Sequence, residues 1–176
     1  MTVQKEHASL DVAGLNIRPV TREDLPALEW DGLFWKYRPM YARLFNNTQA
    51  GRTLMWLAEI KGELVGQVFV MLKSGEKDAA DGENRAYVFA FRVKEKWRNR
   101  GIGSCLMDFV EQDLHQRGFQ FITLNVAKDN PEALRLYKRL GYKVTGSKAG
   151  IWSFKDPHGK VHRVNEPAWR MMKRLR

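Results

Sequence analysis

Between residues 101 and 117 the apolar side chains Ile102, Leu106, Phe109, Val110 and Leu114 recur at three- and four-residue steps, and apolar runs at 85–93 and 119–126 flank them. A helix with one apolar stripe must bury it, and flanking runs of strand length supply the sheet to bury it against. Gly118 is a suitable stop for this helix. Residues 131–140 read as a second helix, entered through Asn130 and left at Gly141, and residues 142–145 read as another strand. Strand, helix, strand, helix, strand is α/β order, so the expected fold class is α/β with a mixed sheet flanked by helices.

The rest of the chain adds to that unit. Residues 15–20 read as a first strand, after a segment at 1–14 that has little periodicity and is expected to be a loose leader. Thr21 followed by Asp24 resembles a capping box, which predicts a helix to about residue 34, with a second short helix at 39–45. This stretch carries Trp30, Phe34, Trp35, Tyr37, Tyr41 and Phe45. Apolar runs at 55–60 and 64–72, joined by a turn at Lys61, Gly62 and Glu63, predict an antiparallel hairpin. Residues 73–84 are polar and contain two glycines, as in a long hairpin loop. The tail predicts strands at 151–154, 161–164 and 168–175. At 176 residues, one domain over 15–176 is the default reading.

Thirty Lys and Arg against 20 Asp and Glu give a formal charge of +10, which attracts anions without naming them. The basic residues are spread along the chain, a pattern that argues against dedicated nucleic-acid binding. The single cysteine, Cys105, excludes an intramolecular disulfide framework and fits a reducing, cytoplasmic setting. The first residues carry no apolar stretch of signal-peptide length, and the longest apolar run, 65–72, is broken by Gly66 and Gln67. Neither export nor membrane spanning is expected. His7, His115, His158 and His162 show no metal-ligand spacing, so no metal is expected.

The segment that carries chemistry is Val93-Lys94-Glu95-Lys96-Trp97-Arg98-Asn99-Arg100-Gly101-Ile102-Gly103-Ser104. A strand ends, a basic turn with two glycines follows, and a helix begins. The glycines let an oxyanion approach the backbone, and the first helical N–H groups lack intrahelical partners. Arg98 and Arg100 add charge from the side. Downstream, Asn130 caps a helix that carries Ala133 and Tyr137 and ends in Leu140-Gly141-Tyr142.

In these two segments the chain resembles the GNAT superfamily of N-acetyltransferases. Arg98, Gly101 and Gly103 match that family's acetyl-coenzyme A motif, and Asn130, Ala133, Tyr137, Leu140, Gly141 and Tyr142 match its second motif. The likeness is close over residues 85–145 and rests on element order alone elsewhere. It implies a central, mostly antiparallel sheet, splayed where acetyl-CoA binds as co-substrate. It also implies acetyl transfer to a primary amine of a small molecule or peptide, by direct attack in a ternary complex.

By the same resemblance, backbone groups of Phe91 and Val93 would bond the pantetheine arm. The turn Arg98, Asn99, Arg100, Gly101, Ile102, Gly103 and Ser104 would hold the diphosphate, Asn130 would reach the pantetheine amide, and Tyr137 would be the general acid. Many family members carry a Glu on the central strand as base, but residues 85–93 contain no carboxylate. Glu29, Asp31, Glu59, Glu63, His158 and His162 are left as candidates with no choice among them. Cys105 lacks a neighbouring His motif, which disfavours an acyl-enzyme. The missing carboxylate leaves open a non-catalytic CoA-binding module, and the net charge leaves open an RNA- or ribosome-associated role. The charge also disfavours polyamine acceptors and favours acidic peptides or amines bearing a carboxylate or phosphate. Many relatives are dimers, and the strand at 168–175 is a candidate for pairing across such an interface.

Overall fold

In the computed structural model, which describes residues 12–176, seven strands form one sheet. They are β1 (Leu15–Pro19), β2 (Thr53–Ile60), β3 (Glu63–Met71), β4 (Arg85–Val93), β5 (Phe121–Ala127), β6 (Lys143–Lys148) and, beyond a separate hairpin of β7 (Ile151–Lys155) and β8 (Val161–Asn165), β9 (Ala168–Arg174). The order across the sheet is β1-β2-β3-β4-β5-β9-β6, and only the β4–β5 pair is parallel. The expected leader at 1–14 lies, apart from Val12 to Gly14, outside the described residues. No helix among the described residues is long and apolar enough to cross a membrane.

The amphipathic stripe becomes α2 (Ile102–Gln116), whose Ile102, Leu106, Val110 and Leu114 are buried against Val68, Val88, Ile122 and Leu124 of the sheet. Gly118 ends it as expected. The Phe119 N–H donates to Leu114 O and the Gly118 N–H to His115 O, each at 3.0 Å, which satisfies two terminal carbonyls. This stop consumes Phe119 and Gln120, so β5 starts two residues later than its apolar run. On the same face, α3 (Pro131–Arg139) is capped by the Asn130 side chain, which accepts from Ala133 N–H at 3.1 Å.

The opposite face carries a second core, in which Leu28, Tyr41, Leu44 and Phe45 pack on Met55, Leu57 and Phe69. Tyr41, Leu44 and Phe45 come from α1 (Arg38–Gln49), longer than the expected 39–45. The helix expected from residue 21 is instead a 3-10 segment, Arg22–Glu29, followed by a short one at Trp35–Tyr37. The capping residues are correctly placed, since the Asp24 carboxylate accepts from Thr21 N–H at 2.7 Å. Continuation fails because Pro26 has no N–H to give and because Trp30 and Asp31 take left-handed backbone, φ 47° and 56°. Trp30 in that turn donates its indole N–H to the Gln67 side chain at 3.1 Å.

The β3–β4 connection is a folded loop. Its Ala79 and Ala80 are buried, Thr123 on β5 donates to Ala79 O at 2.7 Å, and the Asp81 carboxylate accepts from the N–H groups of Glu83, Asn84 and Arg85. The expected hairpin forms, but its turn is shorter than read: Glu63 already pairs with Ile60 as the first residue of β3, which leaves Lys61 and Gly62 alone in the turn, both at positive φ. Strand β9 sits between β5 and β6 with both edges taken, so it is not available to pair across an interface.

Candidate functional site

Two irregularities in β4 open the sheet. Pairing with β5 runs from Arg85 opposite Phe121 to Val88 opposite Leu124 and then stops, although β4 continues to Val93 and β5 to Ala127. The backbone edge of β4 beyond Val88 therefore has no strand beside it on the β5 side among the described residues. On the β3 side, Phe89 lies opposite Phe69 and Arg92 opposite Gln67, so the two residues Ala90 and Phe91 face the single residue Val68. That is a β-bulge, and Ala90 supplies it with left-handed backbone at φ 49°. Gln67, fully buried, donates to Ala90 O at 3.3 Å and holds the bulge to the Trp30 turn.

The basic turn abuts this opening. After a 3-10 turn at Glu95–Trp97, Asn99 and Gly101 take positive φ, 59° and 85°, and α2 begins. The first helical bond runs from Cys105 N–H to Gly101 O at 3.0 Å, which leaves the N–H groups of Ile102, Gly103 and Ser104 without intrahelical acceptors. Gly103 lets the helix approach the open half of β4, because a β-carbon there would stand 3.1 Å from the Phe91 ring. Helical N–H groups without an acceptor among the described residues, the positive end of a helix dipole and an open strand edge thus converge, an arrangement suited to a diphosphate joined to an amide-containing arm. No metal-binding cluster of His, Cys, Asp or Glu occurs among the described residues.

Of the residues expected from sequence, Phe91, Gly103 and Tyr137 meet at this opening, and Arg98 contacts Val93. Arg98 turns back and donates from Nε to Val93 O at 3.0 Å, so that carbonyl already has a partner. Arg100 lies over the Trp97 ring, 5.0 Å from its centroid. Ile102 is buried in the core, backbone included. The Asn130 side-chain oxygen is committed to its cap, and the amide nitrogen carries no hydrogen bond among the described residues. Tyr137 is 8% exposed and packs 6.2 Å from Phe91 and 5.8 Å from Tyr142. Burial raises the pKa of its phenol well above the ordinary tyrosine value, so the hydroxyl keeps its proton through the neutral range. Tyr142 donates to Glu111 at 3.0 Å, and Lys173 donates to the same carboxylate at 2.7 Å, which anchors α2 against the far strands.

The candidate bases are engaged elsewhere. Glu59 accepts from Asn16 and Arg18, Glu29 pairs with Arg38, and Glu63 pairs with Lys96. His158 packs on Trp35, Asp31 occupies the left-handed turn, and His162 bonds Asp156 at 2.7 Å, holding that carboxyl below its usual pKa. None of these contacts reaches residues 89–93.

Sequence reasoning passed over three residues at the opening: Gln67, Ala90 and Arg92. The signal for Arg92 was present, a lone charge between Phe91 and Val93 at the end of an apolar strand. Arg92 lies 4.1 Å from the Phe34 ring centroid and donates to Tyr41 Oη at 2.9 Å. Phe34 stacks on Tyr37, which in turn meets Phe154 and Trp152 of the β7–β8 hairpin at 4.8 and 6.4 Å. The aromatic segment expected from sequence therefore forms a wall on the face of β4 opposite Phe91 and Tyr137.

Known proteins share this architecture. A solved structure of Ard1 from Thermoplasma volcanium superposes with a TM-score of 0.71 at 20% identity, covering 93% of this chain and 99% of that one. Arabidopsis thaliana NAA60, solved with acetyl-CoA, gives 0.69 at 22%, covering 92% and 98%. Among curated proteins, a probable N-acetyltransferase, camello, of Xenopus tropicalis is 27% identical and covers 68% of this chain. The match spans 56% of that relative's length. The model of the acetyltransferase (GNAT) family matches residues 22–142, and with the opened sheet and the glycine turn in place, the chain belongs to that family.

Proposed function

We propose that this protein is an N-acetyltransferase that moves the acetyl group of acetyl-CoA to a primary amine by direct attack in a ternary complex. The observation that carries this reading is the opening between β4 and β5, flanked by the unpaired amides of α2 and by Tyr137. The free edge of β4 would bond the pantetheine arm as another strand does, through Phe91 and the N–H of Val93. Amides of the Arg98–Ser104 turn would hold the diphosphate, with Arg98 and Arg100 screening its charge. Asn130 would donate its amide nitrogen to the arm.

In this reading the neutral amine nitrogen bonds to the acetyl carbon as the carbon–sulfur bond breaks. Tyr137, protonated because it is buried, would donate to the departing thiolate, the amine's surplus proton would leave to water, and solvent would return a proton to the Tyr137 phenolate, so that one turnover leaves the enzyme unchanged. The relatives' printed names support amine acceptors on proteins and small molecules, among them a ribosomal-protein-S18-alanine N-acetyltransferase from Escherichia coli. A single cysteine is consistent with a cytoplasmic setting. Any homodimer would use a surface other than the edges of β9, which light scattering and crosslinking can test.

Titration calorimetry with acetyl-CoA, followed by detection of free CoA across amino acids, aminoglycosides, polyamines and short peptides, tests the proposal. Binding with thiol release that depends on the amine is the expected result. Absence of binding sinks the reading. Binding without thiol release from any amine favours the alternative of a non-catalytic CoA-binding module, which the lack of a carboxylate on β4 would then explain.

A further inference from the structure

Among the described residues Arg92, beside the opening, has no carboxylate partner, and neither have Lys94, Arg98 and Arg100 in the turn that follows, although other arginines of the sheet do. Arg18 is held by Asp24 and Glu59, and Arg38 by Glu29. The buried Arg170, whose guanidinium lies 5.7 Å from the Tyr87 ring, bonds Asn125 at 2.6 Å and stands 3.4–3.5 Å from Asp78 and Glu76. Arg92, the charged residue on the open half of β4, has no ion pair among the described residues. Its Nη1 donates to Tyr41, and Phe34 covers one face of the guanidinium. Tyr41 is 1% exposed, so this arrangement fixes the guanidinium in place. The edge formed by Nε and Nη2 has no acceptor among the described residues, and that edge matches one carboxylate in a two-bond fork.

The position gives the charge a use. Phe91 turns toward Gly103 and Tyr137 on one face, while Arg92, the next residue, turns toward Phe34 and Tyr41 on the other. An acceptor that approaches from the face opposite α2 therefore meets Arg92 beside the opening, against the wall of Phe34, Tyr37 and Phe154.

We infer that Arg92 selects the acceptor: it binds the carboxylate of a free amino acid and directs the adjacent amine at the β4–β5 opening. The inference rests on the acetyltransferase reading and narrows it from amines in general to amines that carry a carboxylate. A phosphate-bearing amine is disfavoured because its higher charge asks for a second cation, and the neighbouring Lys94 lies over Trp30 instead, 5.7 Å from the ring centroid.

The test uses the full chain, a panel of the common free amino acids, and the carboxamide of each, which keeps size and removes the charge. The wild-type protein should show a kcat/KM for its best amino acid about 10- to 100-fold above that for the matching carboxamide, the range expected for one charged hydrogen-bonded contact. Arg92→Gln should bring that ratio close to one, and Arg92→Lys should restore part of it. Phosphoethanolamine, spermidine and a peptide with an acidic N-terminus complete the panel. Equal rates for acids and carboxamides, or faster turnover of any of those three than of every amino acid, would overturn the assignment. So would an equal loss on both members of a pair in Arg92→Gln. Calorimetry with acetyl-CoA separates the two levels: no binding by the wild type removes the acetyltransferase reading, whereas normal binding without acid preference removes the role of Arg92 alone.

Discussion

Tyr137 illustrates how burial can prepare a residue for chemistry. A phenol in the core has lost water on most sides, and the charged form suffers from that loss more than the neutral form, so its pKa rises. The sign matters, because a raised value keeps the proton in place below it, which suits a donor and not a base. Tyr137→Phe should therefore lower kcat by roughly 10²–10⁴-fold, the usual contribution of positioned proton transfer, while acetyl-CoA affinity stays nearly constant. Single-turnover rates set beside calorimetry decide the matter. Equal loss of affinity would reduce Tyr137 to packing against Phe91 and Tyr142. The residue was singled out by the resemblance of residues 130–142 to the family's second motif, and its role as proton donor is what this variant tests. Arg92 was harder to see, because a lone arginine in an apolar run acquires meaning only once its neighbours in space show that it has no counterion.

At the scale of elements, α2 and β4 were the most readable, and the reason is physical. Apolar periodicity and a glycine stop are local, so the bounds of α2 follow from residues 102–118 alone, and β4 matches its apolar run at both ends. The bulge and the Trp30 turn are not local. Ala90 and Trp30 both adopt left-handed backbone that their side chains disfavour, and both are tied to Gln67 of β3, a partner more than 20 residues from either. Gly66 stands next to that partner, where a β-carbon would meet Arg92 O at 3.0 Å and Leu106 Cδ1 at 3.3 Å. A backbone oxygen cannot rotate away as a side chain can, so Gly66→Ala should force β3, β4 and α2 apart. A loss of about 1–3 kcal/mol is expected from such overpacking, read as a lower urea midpoint. Weaker acetyl-CoA binding should accompany it, because the displaced backbone is the one that borders the opening. An unchanged midpoint would mean that α2 yields without cost and that the close approach plays no part in holding the site.

For the whole molecule, strand order was the feature furthest from the sequence. Nothing local tells β9, the last strand, to enter between β5 and β6; the choice is made by where its Met171 and Trp169 can be buried with the core under α2 and α3. Net charge, by contrast, is read directly, and at +10 it sets a field that acts before any contact forms. Much of the positive charge near residues 94–100 is only loosely committed, since Arg100 lies over Trp97 and Arg98 bonds a carbonyl, while Lys96 alone is paired with a carboxylate. A diphosphate bound there should feel these charges through solvent. Raising salt from about 0.1 M to about 1 M shortens the Debye length from about 10 Å to about 3 Å, so the Kd for acetyl-CoA should rise by about tenfold, chiefly through slower association. The urea midpoint should move little over the same range, because surface ion pairs contribute little to stability. Stopped-flow association rates measured with denaturation curves separate the two effects. A Kd that ignores salt would place the diphosphate away from the Arg98–Ser104 turn, since no site built from that many exposed cations can hold an anion without feeling the ions that screen it.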